Sequence, residues 1–322
     1  MSSTEFRPPA TVTIVAGKGG VGKTTVSAAL AYVAARAGIP TLIVEVEGKS
    51  GLGALFGSEE QLGYHETVLR GPGDLGTGSA EIRARTLTPD DALVEYLEDH
   101  GMKRVSKRLT STGTLDVVAT AVPGIKDILV LGKVKQLEAL SRSGGEGDRR
   151  FIVVDAPAAG HAVTFLASAY GLMDAAAVGP IRTQATEVIG LLSDPARCQV
   201  MLVTIPEETP VNEAADTAFH LEDRAGVQLA PIVVNGVWPH LDLQETPAGD
   251  LHQADSARVA RAADFRRQRQ RLQDDQLKRL GEMLPLAQIR LPFLFNTDLG
   301  PKDVEILADA LEPQLVESEE RR

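Results

Sequence analysis

Ten residues near the start of the chain, Ala16-Gly17-Lys18-Gly19-Gly20-Val21-Gly22-Lys23-Thr24-Thr25, restrict the possible folds more than any other stretch. They follow the apolar run Val12-Thr13-Ile14-Val15 and precede Val26 to Arg36, which reads as a helix. Strand, glycine loop and helix in that order form the context of a phosphate-binding loop. Gly17, Gly20 and Gly22 let the backbone curl without Cβ clashes, so that successive N–H groups, those of Gly19 and Val21 among them, can point at phosphate oxygens. A helix opening near Lys23 adds unpaired N–H groups and the positive end of its dipole. Lys23 supplies a point charge for the β and γ phosphates, and the Thr24 hydroxyl is placed to ligate Mg²⁺. Thr25 is expected at the α phosphate.

The rest of the chain predicts an α/β fold: a twisted, mostly parallel sheet with flanking helices and a helical insertion. Thr41 to Val46 reads as a buried second strand, with Glu45 and Glu47 at or just past its carboxyl end, where open parallel sheets place their ligands. Further strands are expected at Ala80–Leu87, Phe151–Asp155, Ala175–Val178, Gln199–Ile205, Gln228–Val234 and Leu286–Leu291. Asp155 ends the Phe151 strand, and a carboxylate there can hold Mg²⁺ through water. Gly160, five residues on, can bring an amide to the γ phosphate. Thr88 and Pro89 read as cap and first residue of a helix. The expected organisation is a tail at 1–9, one domain over 10–312 with a mainly helical insertion at about 89–142, and a disordered acidic tail at 313–322. The charged stretch 254–284 reads as a solvent-exposed helix with internal ion pairs.

Composition narrows the function. A formal charge of -11 and only 4% aromatic residues argue against direct nucleic-acid binding. Cys198, the single cysteine, allows no intrachain disulfide or thiolate cluster and is expected to be buried packing. With no apolar leader and no long uncharged span, the expectation is a cytoplasmic protein that visits a membrane only through a partner.

The motif Gly17-Lys18-Gly19-Gly20-Val21-Gly22-Lys23-Thr24-Thr25 resembles the deviant phosphate loop shared by partitioning ATPases, the nitrogenase iron protein and arsenite-pump ATPases. Asp155-Ala156-Pro157-Ala158-Ala159-Gly160-His161 is similar to the second switch of the arsenite-pump and tail-anchored-protein-targeting family. Val122-Pro123-Gly124-Ile125-Lys126-Asp127, Thr204-Ile205-Pro206-Glu207, Val233-Val234-Asn235 and Leu291-Pro292-Phe293 resemble further landmarks of that family. The resemblance implies that Lys18 reaches the nucleotide of a partner subunit and that Asn235 contacts adenine, with Pro292 and Phe293 on the purine side. It also implies a homodimer or a heterodimer with a related ATPase subunit, acting on an unidentified protein client or membrane-associated partner.

Two departures from the family pattern matter. Glu47-Gly48-Lys49-Ser50 stands where the family's first switch reads D-P-A-H, so Glu47 takes the place of the water-orienting aspartate. Targeting members bind zinc through paired cysteines, which Cys198 alone cannot reproduce, so a zinc-free relative is expected. The resulting reading is an ATP-hydrolysing dimeric switch in which Lys18, Lys23, Glu47 and Asp155 carry the chemistry and Thr24 and Asp155 hold Mg²⁺. A noncatalytic ATP-binding subunit and a partitioning or positioning ATPase are the alternatives.

Overall fold

Residues 12–17 are all buried and form β1 (Val12–Gly17), and burial of every position, Thr13 included, reflects cover on both faces. The computed structural model describes residues 6–46, 51–99, 101–104, 124–145, 149–175, 179–241 and 253–321. After β1 come α1 (Lys23–Arg36), β2 (Thr41–Val46), α2 (Leu52–Leu55), β3 (Thr67–Arg70), β4 (Ile82–Leu87) and α3 (Pro89–Asp99). The chain continues with α4 (Ile125–Ser143), β5 (Phe151–Ala158), α5 (Ala159–Ala175), α6 (Pro180–Leu192), β6 (Cys198–Thr204) and α7 (Glu208–Ala225). It closes with β7 (Ile232–Val237), α8 (Gln253–Met283), β8 (Gln288–Pro292) and α9 (Pro301–Glu320).

The strands form one sheet in the order β3-β4-β2-β5-β1-β6-β7-β8, parallel except for β3. The α/β class and the mostly parallel sheet expected from the sequence are therefore present. β1 lies between β5 and β6, so the loop leaving it emerges where the strand order reverses, the usual ligand site of such sheets. Helices α1 and α9 cover one face, with Val26, Leu30 and Val33 packed in the same core as Val304, Leu307 and Leu311. Helices α4 to α7 cover the other, with Leu131, Leu166, Val188 and Leu221 meeting Val154 and Val200.

Within the expected helical insertion, α3 is capped as its sequence indicates, with the Asp91 amide donating to Thr88 Oγ1 at 3.2 Å. Helix α4 joins the main core through Ile128, Val130, Leu131 and Val134 and is part of the helical layer. Residues 105–123, which include Val122 and Pro123, lie outside the described residues.

Several expectations are corrected. The acidic 313–322 segment is helical through Glu320, because Leu315 and Ser318 continue the stripe of Val304, Leu307, Ala308 and Leu311 onto the core. The N-terminal tail is fixed from Phe6, whose ring is buried edge-on to Phe151 at 6.4 Å between centroids. Ala175 ends a helix instead of opening a strand, and 176–178 lie outside the described residues. Edge strand β3, which the sequence reading did not anticipate, immediately precedes the glycine- and proline-rich stretch 71–78. Strand β5 continues past Asp155 to Ala158, so Gly160 sits in the first turn of α5 and not in a free loop. Cys198 is fully buried, and burial pushes its thiol up to about 12. No helix among the described residues is long and apolar enough to cross a membrane.

Candidate nucleotide-binding site

The glycine loop is held open by contacts that only glycine permits at two positions. Gly17 lies so near β6 that a Cβ would fall 2.2 Å from the Val203 carbonyl oxygen. Gly22 has φ +90, and a Cβ there would fall 2.3 Å from Asn235 Nδ2. Asn235 itself donates from Nδ2 to the Val21 carbonyl at 2.9 Å, tying β7 to the turn of the loop. Among the described residues its Oδ1 and second amide hydrogen make no hydrogen bond. Helix α1 then opens at Lys23, with the Val26 amide bonded to the Gly22 carbonyl at 2.9 Å.

The structure brings Lys23, Thr24 and Asp155 together. Thr24 donates its hydroxyl to Asp155 Oδ2 at 2.6 Å, and Lys23 Nζ lies 3.3 Å from the Lys18 carbonyl oxygen. Asp155 is aimed by an irregularity in the sheet. Between the pairs Val15↔Asp155 and Gly17↔Ala158, β5 advances one residue more than β1. The bulge falls at Ala156-Pro157, where proline, having no N–H, forfeits no ladder bond.

Electrostatics at this point are set by burial. Burial pushes the Asp155 carboxyl up to about 6; the Thr24 hydrogen bond and the Lys23 charge oppose the shift, and neighbouring Glu45 adds to it. Burial lowers the Lys23 ammonium, with Asp155 acting in the opposite direction. Asp155 Oδ1 is buried and accepts no hydrogen bond among the described residues. An orphaned carboxylate oxygen beside a threonine hydroxyl suits a hard divalent cation, so Thr24 and Asp155 fit Mg²⁺.

Of the two carboxylates expected near the end of β2, Glu45 is buried with Oε2 2.7 Å from the Thr86 hydroxyl. That partner gives it a place in the core. Glu47 lies outside the described residues, as do Gly48, Lys49 and Ser50. Leu52, Leu55 and Phe56, expected to anchor the loop that follows, are buried.

Lys18 bends back over the body of the chain, where Nζ meets Glu213 Oε1 of α7 at 2.5 Å. Glu213 was not foreseen as a site residue: it is separated from Lys18 by 195 positions, and no local pattern marks it. Pro292 closes β8, and Phe293 follows with its amide donating to the Val237 carbonyl at 2.9 Å. Both therefore adjoin the strand that carries Asn235. No contact among the described residues assigns Thr25 a partner here.

The sequence pattern described as anion-transporting ATPase matches residues 10–176. The ATPase BagA of Mycobacterium tuberculosis is 32% identical over 253 residues, covering 76% of this chain and 72% of BagA. An arsenical pump-driving ATPase of Escherichia coli is 30% identical over 222 residues, or 68% of this chain, but only 33% of that protein is spanned.

Proposed function

The chain belongs to the anion-transporting ATPase family, and from that premise we propose that it is a dimeric Mg-ATP-dependent switch. The reaction is ATP + H₂O to ADP + phosphate. The observation that carries the reading is the Thr24–Asp155 contact of 2.6 Å, which joins the phosphate loop to the strand-end carboxylate. Mg²⁺, when bound, neutralises charge on the β and γ oxygens. Loop amides from Gly17 to Thr25 cradle the phosphates, and Lys23 strengthens its hold as charge shifts during transfer. Glu47 accepts a hydrogen bond from the attacking water and orients it. Lys18 leaves Glu213 and crosses to the partner's nucleotide, so hydrolysis and dimer closure are coupled. The protein is zinc-free and cytoplasmic and hands its conformational change to a protein client or membrane-associated partner.

Phosphate release by the purified protein, with and without copurifying partners, tests the activity, and native mass under ATP and ADP tests closure. Release together with an ATP-dependent dimer is expected. Mg-ATP binding without hydrolysis, even beside a partner, would establish the noncatalytic-subunit alternative, to which the altered Glu47-Gly48-Lys49-Ser50 segment lends support.

Glu47→Gln is expected to keep Mg-ATP binding and to slow single-turnover phosphate release by about ten- to hundredfold, equivalent to about 1.4–2.8 kcal/mol in the barrier. Glu45→Gln, acting on a core carboxylate, is expected to have the milder effect on that rate. A reversed order of the two variants would move the water-orienting role to Glu45.

Lys18 and Glu213 make a coupled pair of variants. In defined mixed dimers, Lys18→Ala is expected to impair the nucleotide site of the opposite subunit and spare its own. Glu213→Gln removes the competitor for Lys18 and is expected to lower the protein concentration needed for ATP-driven dimerisation. A half-exposed ion pair is worth at most about 1 kcal/mol, so the gain is at most about fivefold per pair and about thirtyfold when both subunits of a symmetric dimer carry the change. The gain is expected to vanish in the Lys18→Ala background, and its persistence there would show that Glu213 acts on something else.

A further inference from the structure

The edge of the sheet opposite the glycine loop carries a cleft of about 580 Å³, at the starts of β1 and β5. Among the described residues its lining holds three arginines and no acidic side chain. Arg142 comes from the end of α4, and Arg149 and Arg150 from the approach to β5. So much positive charge in one cleft runs against the formal charge of -11 on the whole chain.

Two of these arginines are held in place. The buried Ser141 hydroxyl accepts from the Arg150 amide at 2.8 Å and donates to the Arg150 carbonyl at 3.0 Å. That double bond of one side chain to one residue fastens the last turn of α4 to the start of β5 and brings Arg142 and Arg150 to the same cleft. Arg142 Nη1 lies 3.3 Å from Glu138 Oε1, and Arg150 Nη1 lies 2.7 Å from Glu66 Oε2. Each guanidinium is thus anchored through one nitrogen. Among the described residues their Nε and Nη2 groups make no hydrogen bond, and exposed Arg149 makes no ion pair.

The backbone around the cleft is already engaged: the carbonyls of Thr11, Pro40 and Arg197 accept from the amides of Ile152, Phe151 and Val12. Unused capacity is therefore chiefly that of the guanidinium donors, which favours an anion. Their forked geometry suits the paired oxygens of a phosphoryl or carboxylate group. Pro8, Pro9 and Ile39 supply an apolar wall for the rest of such a ligand.

We propose that this cleft binds a small organic dianion, a phosphate monoester or a dicarboxylate with an apolar body, gripped by Arg142, Arg149 and Arg150. The site is separate from the nucleotide site. Strand β1 begins at Val12 beside the cleft and runs its six residues, roughly 20 Å, before the glycine loop is reached. A ligand of this size cannot occupy both.

Calorimetry on the full-length protein tests the site, with phenyl phosphate and isophthalate as the dianionic probes and phenol as the neutral control. Titrations are made on wild type and on Lys23→Ala, whose phosphate loop lacks its own cation. At least one dianion is expected to bind one-to-one and equally to both proteins, and phenol is expected not to bind. The tighter of the two probes identifies the headgroup as phosphoryl or carboxylate. Arg142→Gln and Arg149→Gln are each expected to weaken the dianion by on the order of tenfold. Arg149 is exposed, so its variant remains informative if Arg142→Gln, which loses the contact with buried Glu138, fails to fold. A wild type that binds neither dianion, or that binds phenol as well as either, would overturn the proposal. So would dianion affinity unchanged in both arginine variants. Binding that disappears in Lys23→Ala would overturn it too, by placing the probes on the glycine loop.

Discussion

Lys23→Ala is expected to weaken Mg-ATP binding by on the order of a hundredfold and to reduce turnover by at least about a thousandfold. Lys23 is the loop's own cation, standing at the first turn of α1 beside Thr24 and within reach of Asp155. Its burial already lowers the ammonium's proton affinity, a cost the free protein bears for a charge it uses only when phosphate arrives. Lys18 cannot stand in for it. That side chain is partly exposed, ion-paired to Glu213 and directed away from the loop interior. The larger effect belongs on turnover, because negative charge moves during transfer and fixed charges gain most there. Calorimetric titration and single-turnover phosphate release on the same preparation check both numbers. Unchanged curves from a folded variant would remove Lys23 from the site.

Asp155→Asn is expected to combine a large functional loss with a gain in stability, which makes it diagnostic. In the folded chain the carboxyl titrates at about 6, above its ordinary 3.8, chiefly because it is buried. Below the ordinary value both folded and unfolded chains are protonated and no penalty exists. As pH rises through about 6 the folded chain must carry a buried negative charge, at a cost of about 3 kcal/mol for a shift of this size. The nucleotide-free variant is therefore expected to be more stable than wild type at pH 8 and equally stable near pH 4. Its turnover is expected to fall by on the order of a hundredfold or more, since the orphaned Oδ1 is the acceptor that fits the cation. Wild type is expected to show a thermal shift with Mg-ATP that is largest above about pH 6 and shrinks on acidification, while the variant shows little pH dependence. Melting curves across pH, with and without Mg-ATP, check this. A destabilised, fully active variant would assign Asp155 a structural role.

What was legible in the sequence depended on distance along the chain. Gly17 to Thr25 declares itself because strand, glycines, cations and helix are contiguous, and the structure needs glycine at Gly17 and Gly22 for reasons visible in their contacts. Asp155 was legible because the four apolar residues Phe151 to Val154 end on a carboxylate downstream of a complete phosphate loop, although the bulge that aims it was hidden in Ala156-Pro157. The Lys18–Glu213 ion pair was not legible, since nothing local joins a loop lysine to a helix 195 positions away. Helix α8 misled in another way. Its charge pattern reads as a solvated surface, yet Arg266, Gln270 and Gln273 are buried and serve the backbone around Trp238. The same masking occurs in α9, where the glutamates near the C-terminus conceal the stripe that holds Leu315 against the core. Glu47 shows the limit from the opposite side: the sequence singles it out, and it lies outside the described residues.

The position of β1 in the sheet has a consequence for synthesis on the ribosome. Strand β1 is an inner strand whose neighbours β5 and β6 are synthesised much later, so Val12 pairs with Ile152 on one side and Cys198 on the other. Pairings of such long sequence separation form late, because the loop they close must be ordered before they return any stability. The glycine loop leans on Val203 at one end and Asn235 at the other, so its shape is completed only after those residues have emerged. A nascent chain that has already exposed Gly17 to Thr25 therefore holds the whole motif and none of its cradle. The cradle is therefore expected to form only once β7 is in place, and a bound nucleotide is expected to stabilise only chains that have reached that stage.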